Sequence, residues 1–137
     1  MKILILTWNY PPVVGGIEQV AHHTAGGLFH RGHSVRVIAP ALPAGLHEAT
    51  EYDIPVYRAG KPGIPQFLIH AVLSSRRLIR ASRPDVLLCP SLTSAPAAWL
   101  LSRRFHIPYA IQIHGSDILL PRHAYQLAIA PLLSGAR

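Results

Sequence analysis

One cysteine, Cys89, stands alone in 137 residues, so no disulfide can close within the chain, and a reducing, cytoplasmic setting is the simpler expectation. Acidic residues are scarce as well: 6 Asp plus Glu face 13 Lys plus Arg, a formal charge of +7. Eleven of the basic residues are arginine, which suits phosphate on a nucleotide, a lipid headgroup or a nucleic acid. Nucleic acid is the least favoured of these, because few aromatic residues lie near the arginines to stack on bases. No run approaches the roughly 18 apolar residues of a membrane-spanning helix. The opening Ile3-Leu4-Ile5-Leu6 is cut off by Thr7-Trp8-Asn9 and two prolines, too short for a signal-peptide core. A soluble or peripheral protein is expected, with any membrane contact at the surface. The fingerprint G-x-G-x-x-G is missing, as is a Lys-Ser/Thr pair after the glycines, which argues against a nicotinamide site and a P-loop.

What is present is a folded composition, 50% hydrophobic and 14% charged with 13 prolines, enough for one domain over residues 1–137. Lys2 to Thr7 reads as a buried strand, Ile17 to Arg31 as a helix with Gly32 at its C-cap, and Ser34 to Ala39 as a second strand. A loop follows from Pro40 to Gly45, then a strand over Ile54 to Ala59, a turn at Lys61-Pro62-Gly63 and a helix over Pro65 to Ser82. Val86 to Cys89 is a fourth strand, Thr93 to Phe105 a helix, and Tyr109 to Ile113 a fifth strand. Ala124 to Ser134 reads as a helix broken at Pro131. Strand and helix alternate, so the expected fold is α/β: a parallel sheet, helices on both faces, right-handed crossovers, and ligands beyond the C-terminal strand ends.

Two loops at those ends carry candidate chemistry. Gly15-Gly16, between a strand and a helix, presents bare backbone to the positive end of that helix, where an anionic or sugar-phosphate group can approach. Glu18 either hydrogen-bonds a polar ligand or favours the positive helix start. His114-Gly115-x-Asp117 offers an imidazole, a flexible backbone and a carboxylate together; alternatively Asp117 caps a helix and His114 is a packed core histidine. His22, His23, His30 and His33 make a poor metal set, since adjacent histidines point to different helix faces and no cysteine or carboxylate completes them. Cys89, inside an apolar strand, reads as a small core residue. Along the helix from Pro65, residues Ile69, Leu73, Arg76 and Arg80 share one face and Arg83 extends it. That stripe is either an ordinary solvated face or a surface for an anionic membrane.

Taken together, Pro11-Pro12-x-x-Gly15-Gly16-Ile17-Glu18, Arg31-Gly32-His33-x-Val35-x-Val37-Ile38 and His114-Gly115-Ser116-Asp117 resemble the N-terminal domain of family 4 glycosyltransferases of the GT-B fold. The resemblance implies a Rossmann-like domain, the acceptor-side half of an enzyme that transfers a sugar from a nucleotide diphosphate sugar to a sugar or lipid-linked acceptor. It further implies retention of configuration and no bound metal or resident cofactor, the nucleotide sugar being a co-substrate. Gly15 and Gly16 are then expected near the donor diphosphate and acceptor, His114 at the transferred sugar, and Asp117 shaping that loop or meeting the acceptor. The family's nucleotide-binding C-terminal domain, with its pair of glutamates separated by seven residues, has no counterpart in the sequence. The chain is therefore expected to be a truncated half-site, inactive alone, needing the missing domain or a partner chain. The alternative is a non-catalytic acceptor-binding or membrane-docking subunit.

Overall fold

The computed structural model describes residues 1–42, 44–45, 52–59 and 63–115. Ser116, Asp117 and the helix expected over Ala124 to Ser134 lie outside the described residues. The elements follow in the order β1 (Lys2–Leu6), α1 (Gly16–His30), β2 (Ser34–Pro40), β3 (Val56–Ala59), α2 (Ile64–Ala81), β4 (Val86–Cys89), α3 (Ala95–Phe105) and β5 (Tyr109–Ile111). All four pairings are parallel and the strand order is β3-β2-β1-β4-β5.

Strand β1 lies at the centre, and its Ile3-Leu4-Ile5-Leu6 run is apolar on both faces because both faces are covered. The alternation of a strand sends Ile3 and Ile5 to one side, where they meet Ala21 and Ala25 of α1 with Val35 and Val37 of β2. Leu4 and Leu6 go to the other side and meet Phe67 and Ala71 of α2 and Ala98 and Leu101 of α3. The layers follow from handedness. The step from β1 to β2 runs one way along the sheet, while those from β3 to β4 and β4 to β5 run the other way, so right-handed crossovers place α1 opposite α2 and α3. Tyr52 and Ile54, in the connection from β2 to β3, pack with the α1 cluster, the side the same rule requires.

Local chemistry sets the ends. Gly32, at φ +81, closes α1: its N–H donates to Phe29 O at 2.9 Å and that of His33 to Leu28 O at 3.2 Å, a Schellman pair. Helix α2 ends at Ala81, with Ser82 extended. The Arg36 guanidinium of β2 donates to Ser82 O at 2.7 Å, tying this helix end to the sheet. His106 takes the left-handed conformation after α3, φ 51. Three expected boundaries shift by two residues, and the others by one at most. Pro55, which has no N–H, holds β3 back to Val56; α3 is preceded by a separate 3-10 turn, Leu92–Ser94; and β5 ends at Ile111 although Gln112 still donates to Cys89 O at 2.8 Å.

Candidate functional site

The chain leaves β1 through a turn built by Thr7. Its hydroxyl donates to Asn9 O at 2.7 Å and accepts the Asn9 N–H at 3.2 Å. The Asn9 side-chain amide then donates to Glu18 Oε1 at 2.8 Å. Glu18 is buried, in the first turn of α1. Its carboxylate lies against Gly15, where an added Cβ would come within 2.2 Å of Oε2. Gly15 has φ −179, extended backbone open to any residue, so what a side chain there would have to displace is the Glu18 carboxylate. Gly16 differs: it is exposed, and a Cβ there would meet nothing within 4 Å. Neither packing nor backbone geometry asks for glycine at that position. The first amides of α1, without partners inside the helix, carry its positive end here.

The loop is fastened from the far side of the sheet. Arg58 of β3 donates to Pro11 O and, at 3.4 Å, to Pro40 O, and its guanidinium lies 5.7 Å from the centre of the buried Tyr10 ring. The Pro11–Pro12 peptide bond is cis.

At the neighbouring strand ends, His114 Nε2 bonds Pro90 O at 2.8 Å, joining the segment after β5 to the segment after β4. A carbonyl oxygen only accepts, so Nε2 is the ring nitrogen that donates. Gly115, next to it, is exposed with open space where a Cβ would stand. Ser91 and Ser94 are buried in the turn after β4 with hydroxyls that have no hydrogen-bond partner, as has Gln112 Oε1.

These loops share the C-terminal edge of the sheet. The chain order reverses between β1 and β4, the switch point at which open α/β sheets bind ligands. Strand β5 is two places from β1, roughly 10 Å at the usual strand spacing. The fold thus brings Gly15, Gly16, Glu18, His114 and Gly115 to one edge, while Asp117 lies outside the described residues. Arg76 and Arg80 stand elsewhere, exposed on α2. Arg83 leaves the stripe expected for it: beyond the helix end, it donates to His106 O at 3.0 Å.

The histidines are engaged in ring packing and a contact with the chain start. His22 packs against Tyr10 and Tyr52 with centroids 5.9 and 4.9 Å away, His30 meets Tyr52 at 5.3 Å, and His33 Nδ1 meets the Met1 amino group at 3.4 Å. Among the described residues no three His, Cys, Asp or Glu side chains gather as a metal set. Burial pushes the Cys89 thiol up to about 12, which keeps it protonated and unreactive. Sequence reasoning missed Asn9 and Arg58. A hydroxyl residue two positions before an asparagine at a strand end is a turn signal that points to the first. Nothing local marks Arg58, 47 residues from Pro11.

A parallel α/β sheet whose loops after β1, β4 and β5 share the C-terminal edge at the switch point is a Rossmann-like domain. The sequence profile of the glycosyl transferase 4-like domain matches residues 15–136, and the chain belongs to that family. It is 29% identical over 129 residues to an uncharacterized glycosyltransferase of Methanocaldococcus jannaschii, covering 86% of this chain and 32% of that one. It is 28% identical over 141 residues to the glycogen synthase of Mycobacterium tuberculosis, covering 85% and 34%. The chain therefore spans about a third of the length of these relatives. Among solved structures, sucrose-phosphate synthase from Thermosynechococcus elongatus superposes with a TM-score of 0.80 at 12% identity, over 98% of this chain and 40% of that one, a likeness of fold. The resemblance to the N-terminal domain of a GT-B glycosyltransferase is thus met by profile, relatives and fold together.

Proposed function

We propose that this domain forms the acceptor side of an enzyme that transfers a sugar from a nucleotide diphosphate sugar to an acceptor, with retention of configuration. The observation that carries the reading is Gly16: a glycine the fold does not need, exposed at the amino end of α1 on the switch-point edge. A diphosphate beside it meets bare backbone and unpaired amides, which offset the negative charge that grows as the sugar–phosphate bond breaks. His114, held by Pro90, offers its imidazole to a sugar hydroxyl. Glu18 and Asn9 keep the glycine turn in shape, and Asp117 acts in the loop that follows His114. The departing diphosphate takes the acceptor proton, so no protein base is assigned, and neither a metal nor a resident cofactor takes part. A second, nucleotide-binding domain completes the site, and residues 1–137 alone do not turn over. The family membership and the glycosyltransferase relatives support this reading.

The test is nucleoside diphosphate release by the full-length protein, supplied with a panel of nucleotide diphosphate sugars and a glycan or lipid extract as acceptor. Release that falls at least tenfold in Gly16→Ala and His114→Ala is expected, and none from residues 1–137. Turnover untouched by both substitutions would place the reaction elsewhere.

A further inference from the structure

The outer surface of α2 and α3 carries an arrangement that the sugar-transfer site does not use. Ile69 and Leu73 of α2 and Leu100 of α3 are 61%, 54% and 48% exposed. They rim a cavity of about 310 Å³ floored by Leu68, Val72 and Ala97. A second hollow of about 210 Å³ runs on past Val72 and Leu100 to Arg76 and Arg104. The two helices together carry five arginines, Arg76, Arg77, Arg80, Arg103 and Arg104, and no acidic residue. Arg103 lies 5.6 Å from the Trp99 ring centre and Arg104 5.4 Å from that of Phe105, so these guanidinium groups stand beside apolar surface.

Direction adds meaning to composition. Each helix links two parallel strands, so both start at the C-terminal edge of the sheet and run the same way. Ile69, Leu73 and Leu100 precede the arginines on their helices and so lie closer to the edge that holds Gly16 and His114 than Arg76, Arg80, Arg103 and Arg104 do. A surface that is apolar beside the site and basic behind it, with no acid on either helix, matches the chemistry of an anionic bilayer. Apolar side chains enter the headgroup boundary while arginines meet phosphate. Nucleic acid has no use for the exposed leucines.

We propose that this face docks on an anionic lipid membrane and so brings the acceptor edge to the bilayer surface, where a lipid-linked acceptor is presented. The membrane contact stands on the surface alone; the lipid-linked acceptor rests on the glycosyltransferase reading.

The experiment is co-sedimentation of the full-length protein with phosphatidylglycerol vesicles and with phosphatidylcholine vesicles, beside sugar transfer to a water-soluble acceptor. The expected result is binding to phosphatidylglycerol only. At about fivefold per arginine, Arg76→Gln with Arg104→Gln weakens it about 30-fold. Leu73→Ser with Leu100→Ser weakens it too, with thermal stability and transfer to the soluble acceptor unchanged. No binding to phosphatidylglycerol, or equal binding by both double variants, overturns the proposal. So does a clear loss of stability in the serine variant, which would mean that another part of the protein or a protein partner covers this face. Transfer without vesicle binding defeats the membrane contact alone, and vesicle binding without any nucleotide sugar turnover defeats the enzyme reading alone.

Discussion

Replacing Gly16 by alanine separates what the fold needs from what a ligand needs. The new Cβ meets nothing within 4 Å, and Gly16 is the first residue of α1 with no left-handed φ to lose. Removing a glycine's excess backbone freedom from a compatible site stabilises by about 0.4–1 kcal/mol, read as a small rise in Tm. The same methyl group stands where a diphosphate approaches the first amides of the helix. Forcing a methyl into a filled contact costs about 1–3 kcal/mol, a loss of about 5- to 150-fold in affinity. The assay pairs thermal unfolding with calorimetric titration of a nucleotide diphosphate sugar, both on the full-length protein. Stability and affinity are expected to move in opposite directions. A variant that binds the donor as tightly as the parent would refute the argument, since Gly16 would then answer to neither fold nor ligand.

Asn9→Ala leaves the buried Glu18 carboxylate without its amide donor and should destabilise by about 1–3 kcal/mol in urea unfolding; a loss below about 0.5 kcal/mol would contradict the role given to that bond. Gly26→Ala drives a Cβ to 2.2 Å from Tyr52 Cε2, and the expected penalty is about 1–3 kcal/mol. That penalty should largely vanish in a background of Tyr52→Ala, and strict additivity in the double-mutant cycle would show that the ring is not the obstacle. The Cys89 thiol, raised from 9.0 to about 12 by burial, stays protonated in the folded state while the unfolded thiol ionises. Its contribution is therefore whole below about pH 9 and lost as pH rises towards 12. Urea midpoints should fall more steeply above pH 9 in the parent than in Cys89→Ala, and parallel curves would argue against it.

The layers of the fold are legible from periodicity. An unbroken Ile3 to Leu6 run signals a strand covered on both faces, and the spacing of Ala21 and Ala25, or of Phe67, Ala71 and Ile79, marks the helix faces that cover it. The strand order is not legible in the same way. Hydrophobic pattern does not say that β4 rather than β3 lies beside β1; that follows only from crossover geometry and the room each helix takes. The glycine turn and His114 are legible because each follows an apolar run that reads as a strand, and the fold sets both on one edge. Arg58 and Asn9 escape because their work is a hydrogen bond to a partner nothing nearby announces. Arg83 misleads because helical spacing carries past Ala81, whereas the extended Ser82 turns the chain away.

The bond from Arg58 to Pro11 has a consequence for anyone who would exchange parts between related domains. Strand β1, its turn and α1 look like a self-contained cassette, contiguous in sequence and bearing the glycine pair. Yet the carbonyl that anchors the turn is grasped from the outermost strand, and Tyr52, from the connection before that strand, sits over Gly26 in the middle of the helix. A graft of residues 1–31 alone would carry the glycines without their clamp. The smallest portable unit runs to β3 and so carries Arg58 and Tyr52 with it; a shorter graft needs a recipient that offers an arginine and a ring at those positions.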